Sequence, residues 1–287
     1  MRVIVCVKQT GFVYHPIAID SPGSAIDPEK MVYMLNPYDE VALEESLKIK
    51  ENHAGSQTIV ITAGPPQVEE ALRYAFSFGA DKMIRINCQP LGPWSTSLVL
   101  AEVIRNLKYD VILCGKKAID TNGNQVGSFI AELLNIPQVS GIAGLEILPQ
   151  EKKAIVERYL GKGDRELVEC ELPALFTVEK SMNDPRYPTV SNRLLAERQE
   201  IEEIEASSLG IVFDSGSDLS EFVRFTPPRP KPRKVFTPDS NLSPSERMRL
   251  IMSGGMTGKK SDFLRGKPEE AAKKIIDVLI QEKIVKI

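Results

Sequence analysis

Short apolar runs alternate with amphipathic segments over the first 140 residues of the chain. Four runs are continuously apolar, which is typical of strands buried on both faces of a parallel sheet. These runs cover residues 2–8, 57–63, 82–87 and 110–115. The intervening segments have the spacing of apolar side chains expected of helices. They cover residues 36–52, 65–79 and 94–107. Repeated strand–helix units predict an α/β fold with a doubly wound, mostly parallel sheet.

The pattern changes after residue 144. Residues 144–173 alternate apolar and polar positions between turn signals, which predicts an antiparallel meander, and "ALFTVE" then predicts a last core strand. Residues 225–240 are rich in proline and basic residues, as in an extended linker. Two helical patterns follow, and Ser243 with Glu246 predicts a capping box at the start of the first. We therefore predict an α/β domain over 1–226 and an extended C-terminal arm, a Pro-rich linker with helices, over 227–287.

Composition narrows the class of protein. The chain has 287 residues, of which 42% are hydrophobic and 26% charged, as in ordinary globular proteins. Its apolar runs fall short of the roughly 20 residues that a membrane span needs. The first strand-like run is too short for a signal peptide and has no cleavage pattern, so we expect a cytoplasmic protein without a membrane span.

The net charge of −3 is unevenly distributed. Residues 227–287 carry 14 Lys and Arg against 7 Asp and Glu, a balance of +7, which leaves −10 for the remainder. This basic segment lacks interleaved aromatic residues and any nucleic-acid motif, so we do not expect nucleic acid as a partner. An arm that lies on an acidic partner surface or in solvent is the simpler interpretation.

The sequence offers little for acid–base, nucleophilic or metal chemistry. It has 4 scattered Cys without a CxxC spacing and only 2 His. Metal-ligand spacing and a disulfide framework are therefore not expected, and reduced, buried cysteines are the favoured interpretation. We predict no catalytic residues and no metal.

The candidate site follows the fourth apolar run, at the edge of a parallel sheet where ligands bind. Its small residues would let backbone amides approach a ligand, and the amino end of the next helix favours phosphate. Asn122 and Gln125 have the spacing of a cap for a helix that starts near Asn124. Asp120, Asn122 and Asn124 can bond to sugar hydroxyls or to adenine. The stretch comprises Gly115, Lys116, Lys117, Ala118, Ile119, Asp120, Thr121, Asn122, Gly123, Asn124, Gln125 and Val126.

From these residues alone, nucleotide binding and an elaborate strand–helix connection are equally supported. The chain has neither the GxGxxG fingerprint of dinucleotide-binding folds nor the GxxxxGK[ST] loop. Lys116 and Lys117 could each pair with a phosphate or with nothing.

Several motifs carry a resemblance to a known family. They are "VIVCVKQ", "LNPYDEVALEESLKIKE", "AGPPQVEEALRYAFSFGAD", "CGKKAIDTNGNQVGSFIAELLNIPQ" and "LPALFTVEKSMNDPRYPTV", in order from residue 2 to about 205. The chain resembles the β subunit of electron transfer flavoprotein, and the "GKxAID…NQ.G" stretch is highly specific to that family. The last 60 or so residues look like an extension found in only some members.

The resemblance implies an adenine nucleotide α-hydrolase-like fold that pairs with an α subunit, which carries the redox-active FAD. In one branch of the family the β subunit holds a structural AMP. In the electron-bifurcating branch the same cavity holds a second FAD that accepts hydride from NADH. Carried over by position, the nucleotide contacts are Cys6, Asn36, Pro37, Tyr38, Asp39, Ala63 and Gly115 through Val126. Tyr38 would also face the flavin of the α subunit.

The loop chemistry favours AMP over a second FAD. Bifurcating members resemble "GDTAQVGP", with a small residue before the Gln, whereas this chain has "TNGNQVGS". Asn124 is larger and polar, which suits a phosphate better than an isoalloxazine, and Ser128 replaces the Pro. A stand-alone nucleotide-binding protein and a nucleotide-hydrolysing or adenylating enzyme remain as alternative interpretations.

A second segment, "MNDPRYPTVSNRLLAE" over 182–197, corresponds to the family's recognition loop. From the residues alone, an Asn-Asp-Pro turn whose Val and Leu pack on the domain's own core is favoured. The resemblance instead implies that Arg186, Tyr187 and Val190 dock acyl-CoA dehydrogenase, with Val190 where the family commonly has Leu. Electrons would then pass through the α-subunit FAD to a quinone-linked oxidoreductase or a ferredoxin-linked acceptor.

Overall fold

The computed structural model of the chain describes residues 1–13, 19, 26, 31–89, 91–211, 223–226, 238–252 and 268–281. Contacts divide the chain into two compact units, Met1–Pro227 and Pro228–Ile287. Most of the predicted Pro-rich linker, residues 227–237, lies outside the described residues.

The strands and helices follow the predicted pattern closely. The described strands are β1 (Arg2–Cys6), β2 (Gln9–Val13), β3 (Met31–Leu35), β4 (Gln57–Ala63), β5 (Lys82–Asn87), β6 (Val111–Gly115), β7 (Gln138–Leu148), β8 (Lys153–Gly161), β9 (Asp164–Glu171), β10 (Ala174–Val178) and β11 (Glu202–Glu205). The described helices are α1 (Pro37–Asn52), α2 (Glu69–Phe76), α3 (Pro93–Arg105), α4 (Val126–Leu134), α5 (Val190–Arg198), α6 (Pro244–Met252) and α7 (Pro268–Gln281).

Nine strands form one sheet in the order β11-β5-β4-β1-β6-β10-β7-β8-β9. Each strand from β11 to β7 in this order pairs in parallel with its neighbours. The pairing of β1 with β4 and with β6 has no shift in register. The chain runs outward from β1 to β4 and β5, then returns to β6 on the other side of β1. The predicted doubly wound, mostly parallel α/β sheet is confirmed.

Each face of the sheet has its own core. On one face, Val3 and Val60 pack with Leu43 of α1 and Leu72 of α2. On the other face, Ile4 and Ile112 pack with side chains of α3 and α4. Because successive strand residues point to opposite faces, strands buried on both faces must be apolar throughout, as the sequence shows.

The meander is also confirmed. Strands β7, β8 and β9 pair antiparallel at one end of the sheet, and β10 returns to lie between β6 and β7. All four cysteines lie in the described part of the chain; none forms a disulfide, and Cys88 alone among them is not buried.

Four elements were not predicted from the sequence. They are β2 and β3, which pair antiparallel, together with β11 and α5. Strand β11 is short and mostly acidic, so it has no apolar pattern. The nearly buried guanidinium of Arg85 holds it through an ion pair with Glu203 at 2.8 Å, and Arg85 also pairs with Glu69 at 3.0 Å. A tertiary ion pair therefore stabilises an edge strand that local pattern does not indicate.

The second unit contains α6 and α7 in its described part. The predicted capping box is confirmed, since the Ser243 N–H donates to Glu246 Oε2 at 3.1 Å and the Glu246 N–H donates to Ser243 Oγ at 3.4 Å. Among the described residues, no helix combines the length and the apolar character needed to cross a bilayer.

Candidate functional site

The loop over residues 115–126, which we call the cradle, follows β6 at the point where the chain changes direction in the sheet. The carboxyl ends of β1 and β6 are adjacent there, with Cys6 beside Cys114 in the parallel register. Such a switch point leaves a crevice outside the strand ends, which is where open α/β sheets bind ligands. The topology therefore puts the predicted cradle in the expected place.

Two buried side chains lie beneath the cradle. Asn36 is 1% exposed and Asp39 is 4% exposed. Asp39 accepts hydrogen bonds from the backbone N–H groups of Lys8 at 2.8 Å and Gly115 at 3.1 Å. Asn36 donates to the Lys117 carbonyl oxygen at 3.0 Å. These contacts connect the start of α1 to the ends of β1 and β6.

The side chains of Asn36 and Asp39, at the two ends of the "NPYD" stretch, make these hydrogen bonds to protein groups and so hold the cradle in place. Asn36 directly precedes α1, whose first residue is Pro37, and its side chain makes no capping hydrogen bond to the helix. Tyr38 is half-buried, and Lys117 Nζ lies 5.8 Å from the centroid of its ring.

The cradle itself is open to solvent from Asp120 through Gln125. Asn122 and Asn124 adopt left-handed backbone conformations, with φ of 51° and 52°. Asparagine tolerates this region better than most residues, which gives a physical reason for both asparagines. The Asn122 N–H donates to the Ala118 carbonyl oxygen at 2.8 Å, which closes a turn inside the loop.

Helix α4 begins at Val126, two residues later than predicted. Gln125 precedes the helix, and no side chain among the described residues caps it, so the predicted cap of Asn122 with Gln125 is wrong. The left-handed turns at Asn122 and Asn124 replace the extended backbone that a capping box requires. The first intrahelical bond runs from the Phe129 N–H to the Gln125 carbonyl oxygen, so the N–H groups of residues 126–128 have no partner within the helix.

The lysines around the cradle are engaged within the chain. Lys116 pairs with Glu179, and Lys8 Nζ lies 2.8 Å from Asp120 Oδ2. The second contact ties the exposed loop back to the end of β1. Backbone amides, the polar side chains of Thr121, Asn122 and Asn124, and the ammonium of Lys117, which lies 5.8 Å from the centroid of the Tyr38 ring, are the groups that the cradle offers to an anion.

The other predicted nucleotide contacts border the same edge. Ala63 ends β4 and is half-buried, while Cys6 ends β1 and is 8% exposed. The Cys6 thiol contacts Cys114, and this contact, burial and the charge of Asp39 raise the pKa of the Cys114 thiol. The Cys114 thiol is thus buried and protonated, which agrees with the predicted structural role of the cysteines.

The recognition segment, residues 182–197, is fastened to the domain at both ends. Asn183 donates to Glu45 Oε2 at 3.1 Å, and Arg186 Nε donates to Glu44 Oε2 at 2.9 Å. Arg186 Nη1 also donates to Glu51 at 2.6 Å, so its guanidinium bridges two carboxylates of α1. At the other end, Arg73 of α2 donates to the carbonyl oxygens of residues 196, 197 and 199.

Between these attachments the segment exposes apolar side chains. Tyr187 is 93% exposed and Val190 76%, and Leu194 and Leu195 are each more than half exposed. The expectation that Val and Leu here pack on the domain's own core is therefore wrong for these residues. Only Ala196 of α5 is buried. The charge of Arg186, predicted as a docking residue, is paired with carboxylates of α1, so this side chain holds the segment against that helix.

Sequence reasoning missed the carboxylates that hold this segment. Glu44 and Glu45 lie in α1 and are buried, although helix charges usually lie on a solvated face. The sequence does contain an indication of this contact, because Glu44 and Glu51 are seven residues apart and therefore share one face of the helix. Two carboxylates on one face match the fork of an arginine, but the sequence does not say which one.

The fold and the cradle define a class: a doubly wound α/β protein with an amide-rich loop at the switch point of its sheet. Comparison with known proteins makes this specific. The electron transfer flavoprotein domain family matches residues 25–209. The chain therefore belongs to the electron transfer flavoprotein family, and its relatives identify it as a β subunit.

Three relatives illustrate the match. The caffeyl-CoA reductase-Etf complex subunit CarD of Acetobacterium woodii is 36% identical, covering 79% of this chain and 88% of that protein. The electron transfer flavoprotein subunit beta of Bacillus subtilis is 33% identical, covering 88% and 98%. The human subunit beta is 32% identical, covering 80% and 90%. Membership implies an α-subunit partner and association with a flavin or nucleotide.

Proposed function

We propose that the chain is the β subunit of a heterodimeric electron transfer flavoprotein and holds a structural AMP in the cradle. The FAD carried by the α subunit supplies the electron-transfer chemistry. The β subunit positions that partner and docks an acyl-CoA dehydrogenase, so that electrons pass to a quinone-linked oxidoreductase. For this role the β subunit must bind the nucleotide and its protein partners, and it needs no acid–base catalysis of its own.

The cradle fits an adenylate in several respects. Residues 120–125 are exposed at the switch point, and the first-turn amides of α4 are uncapped in the described structure. Helix amino ends of this kind favour phosphate through their N–H groups and dipole. Gly123 leaves open space, since a Cβ there would meet only Gln125 Oε1 at 3.7 Å. The uncapped start of α4 beside an exposed loop is the observation that carries the proposal.

AMP is preferred over a second FAD because of two residues at the cradle. Asn124 is exposed in a left-handed turn directly before Gln125, and Ser128 stands in the first turn of α4. A polar amide there offers donors to a phosphate and occupies volume that a flavin ring would need. One relative is named as a subunit of a caffeyl-CoA reductase-Etf complex, so the experiment must also distinguish AMP from a second FAD.

The cofactor content of the complex tests this choice. We expect the chain, copurified with its α subunit and then denatured, to release AMP and FAD in equal amounts. Chromatography with mass detection would measure both. Two FAD per heterodimer without AMP would replace the proposal with the bifurcating alternative. A stable monomer that does not associate with the α subunit would favour a stand-alone nucleotide-binding protein.

The docking proposal rests on the exposed apolar surface of the recognition segment. Apolar side chains held on a rigid support act as anchors at interfaces, because they fill a pocket without losing much conformational entropy. Tyr187, Val190 and Leu194 are exposed between two fastened ends. The relative CarD belongs to a complex with a CoA-ester reductase, which supports a partner that acts on acyl-CoA.

Val190→Asp should weaken docking without destabilising the subunit. Placing a charge on an apolar anchor should raise the KM for the dehydrogenase by roughly tenfold, equivalent to about 1.4 kcal/mol. Flavin reduction in the heterodimer, followed against dehydrogenase concentration, would measure the effect. Leu167→Asp is the matched control, since Leu167 on β9 is 77% exposed against 76% for Val190. Equal effects of both substitutions would contradict docking at α5.

A further inference from the structure

The pair of Asn36 and Asp39 joins three parts of the candidate site through side-chain hydrogen bonds. Asp39 Oδ2 accepts from the Lys8 N–H at 2.8 Å, at the end of β1. Asp39 Oδ1 accepts from the Gly115 N–H at 3.1 Å, at the end of β6, and from Asn36 Nδ2 at 2.9 Å. Every one of these partners is a donor, so the arrangement suits a carboxylate that accepts at both oxygens.

Asn36 continues these contacts into the cradle. Its Nδ2 also donates to the Lys117 carbonyl oxygen at 3.0 Å, and its Oδ1 accepts from the Ile119 N–H at 3.3 Å. The amide thus bonds on both sides to the first turn of the loop. A change at Asp39 would reach residues 117–119 through one intervening side chain.

We propose that Asp39 and Asn36 are positioning residues, and that the cradle binds nucleotide best when the Asp39 carboxylate is ionised. This inference rests on the proposed nucleotide site and extends it to regulation by pH. Protonation would place an O–H where an N–H donor now points. At least one of the three hydrogen bonds would be lost, and the loop would be less well ordered.

The environment of Asp39 places this change near neutral pH. Burial raises the pKa of Asp39 from 3.8 to about 7, against the opposing effects of Asn36, the Lys8 and Gly115 amides and the Lys8 charge. Lys8, two residues after the end of β1, and Cys114 on β6 are the titratable neighbours from the strand side. From the cradle, Lys116 points to Glu179 and Lys117 to the Tyr38 ring.

The sign of the pH effect on folding is opposite to that on binding. Because the pKa of Asp39 is higher in the folded than in the unfolded chain, unfolding releases a proton between about pH 4 and pH 7. The free energy of unfolding therefore decreases as pH rises through this window. Nucleotide affinity should increase over the upper part of the same window, so the two measurements separate positioning from stability.

Asp39→Asn tests the inference, with Asp110→Asn as the matched control. Asn has nearly the same shape but only one acceptor oxygen, so it resembles protonated Asp39. Asp110 accepts from the Arg2 N–H at 2.7 Å and thus joins the same two strands at their opposite ends. Both variants lose a carboxylate between β1 and β6, but only the first loses one at the cradle.

The measurement is AMP binding by calorimetry to heterodimers stripped of nucleotide, from pH 6 to pH 8.5. At pH 8 we expect Asp39→Asn to bind AMP roughly tenfold more weakly than the unmodified protein and the control. The difference should shrink below pH 7, where Asp39 itself is protonated. The AMP phosphate titrates in all three proteins, so it cancels in the comparison. Equal affinity of Asp39→Asn and the unmodified protein across the range would overturn the inference.

Hydrogen exchange separates this inference from the proposed function. At pH 8, peptides covering 115–121 should exchange roughly tenfold faster in Asp39→Asn than in the control, without any nucleotide. If AMP binds to none of the proteins but this exchange pattern is found, the positioning role stands and the nucleotide proposal fails. Unchanged exchange in Asp39→Asn would overturn the positioning role whether or not AMP binds.

Discussion

Gly115→Ala should disrupt the candidate site and destabilise the domain. A Cβ at residue 115 would lie 2.2 Å from Asp39 Oδ1 and 2.7 Å from Tyr38 Cβ, and a backbone atom of Tyr38 lies 3.0 Å away. The start of α1 would have to move away from β6, with loss of the Gly115–Asp39 hydrogen bond. Overpacking and the lost bond together should lower the free energy of unfolding by about 3–5 kcal/mol.

Gly123→Ala is the matched control in the same loop. A Cβ at residue 123 would meet only the flexible end of Gln125, so this substitution should change stability by less than about 0.5 kcal/mol. Thermal unfolding of the purified heterodimer, with and without added AMP, would compare the two variants. Similar melting temperatures for both would mean that α1 and β6 do not approach as closely as described.

Arg186→Ala should release the recognition segment from α1. Glu44 is 6% exposed at its side chain, and Arg186 donates to both of its oxygens at 2.9 Å. Removing the arginine leaves a buried carboxylate without its counterion, which costs 3–5 kcal/mol in fully buried pairs. Because the Arg186 side chain is 39% exposed, water replaces part of the interaction, and we expect about 2–3 kcal/mol.

Limited proteolysis within 182–197 would measure this release directly, alongside thermal unfolding. The double variant Arg186→Ala with Glu44→Gln should recover much of the stability, since it removes the uncompensated charge as well. Lys153→Ala is a surface control, because Lys153 forms an exposed pair with Glu169. Cleavage and stability that match the control would show that α1 does not hold the segment.

The cradle and the recognition segment, which we propose as the nucleotide and docking sites, differ in how far local sequence indicates them. Residues 115–126 follow an apolar run and precede a helical pattern, so their place at the sheet edge follows from strand order alone. The recognition segment contains no such pattern. Val190 and Leu194 are exposed because Arg186 and Arg73 hold the segment at both ends, contacts that join residues more than 100 positions apart.

The capping prediction illustrates the same limit at shorter range. Asn122 and Gln125 have capping-box spacing, yet α4 starts at Val126 without a side-chain cap. Such spacing forms a cap only when the capping residue itself has an extended backbone, and Asn122, the predicted capping residue, is left-handed. The start of this loop is held by Asn36 through Lys117 and Ile119, and these contacts join residues that are distant in sequence.

The sequence by itself determined most of the strand and helix order, the parallel sheet, the meander and the family, because hydrophobic period and specific motifs are local properties. Only the tertiary structure decided that Asn36 and Asp39 lie beneath the cradle, that Arg186 supports the recognition segment, and that Arg85 holds β11. These roles depend on which buried polar groups meet. A buried charge or amide must find a partner, and that partner is fixed by the fold rather than by neighbours in the chain.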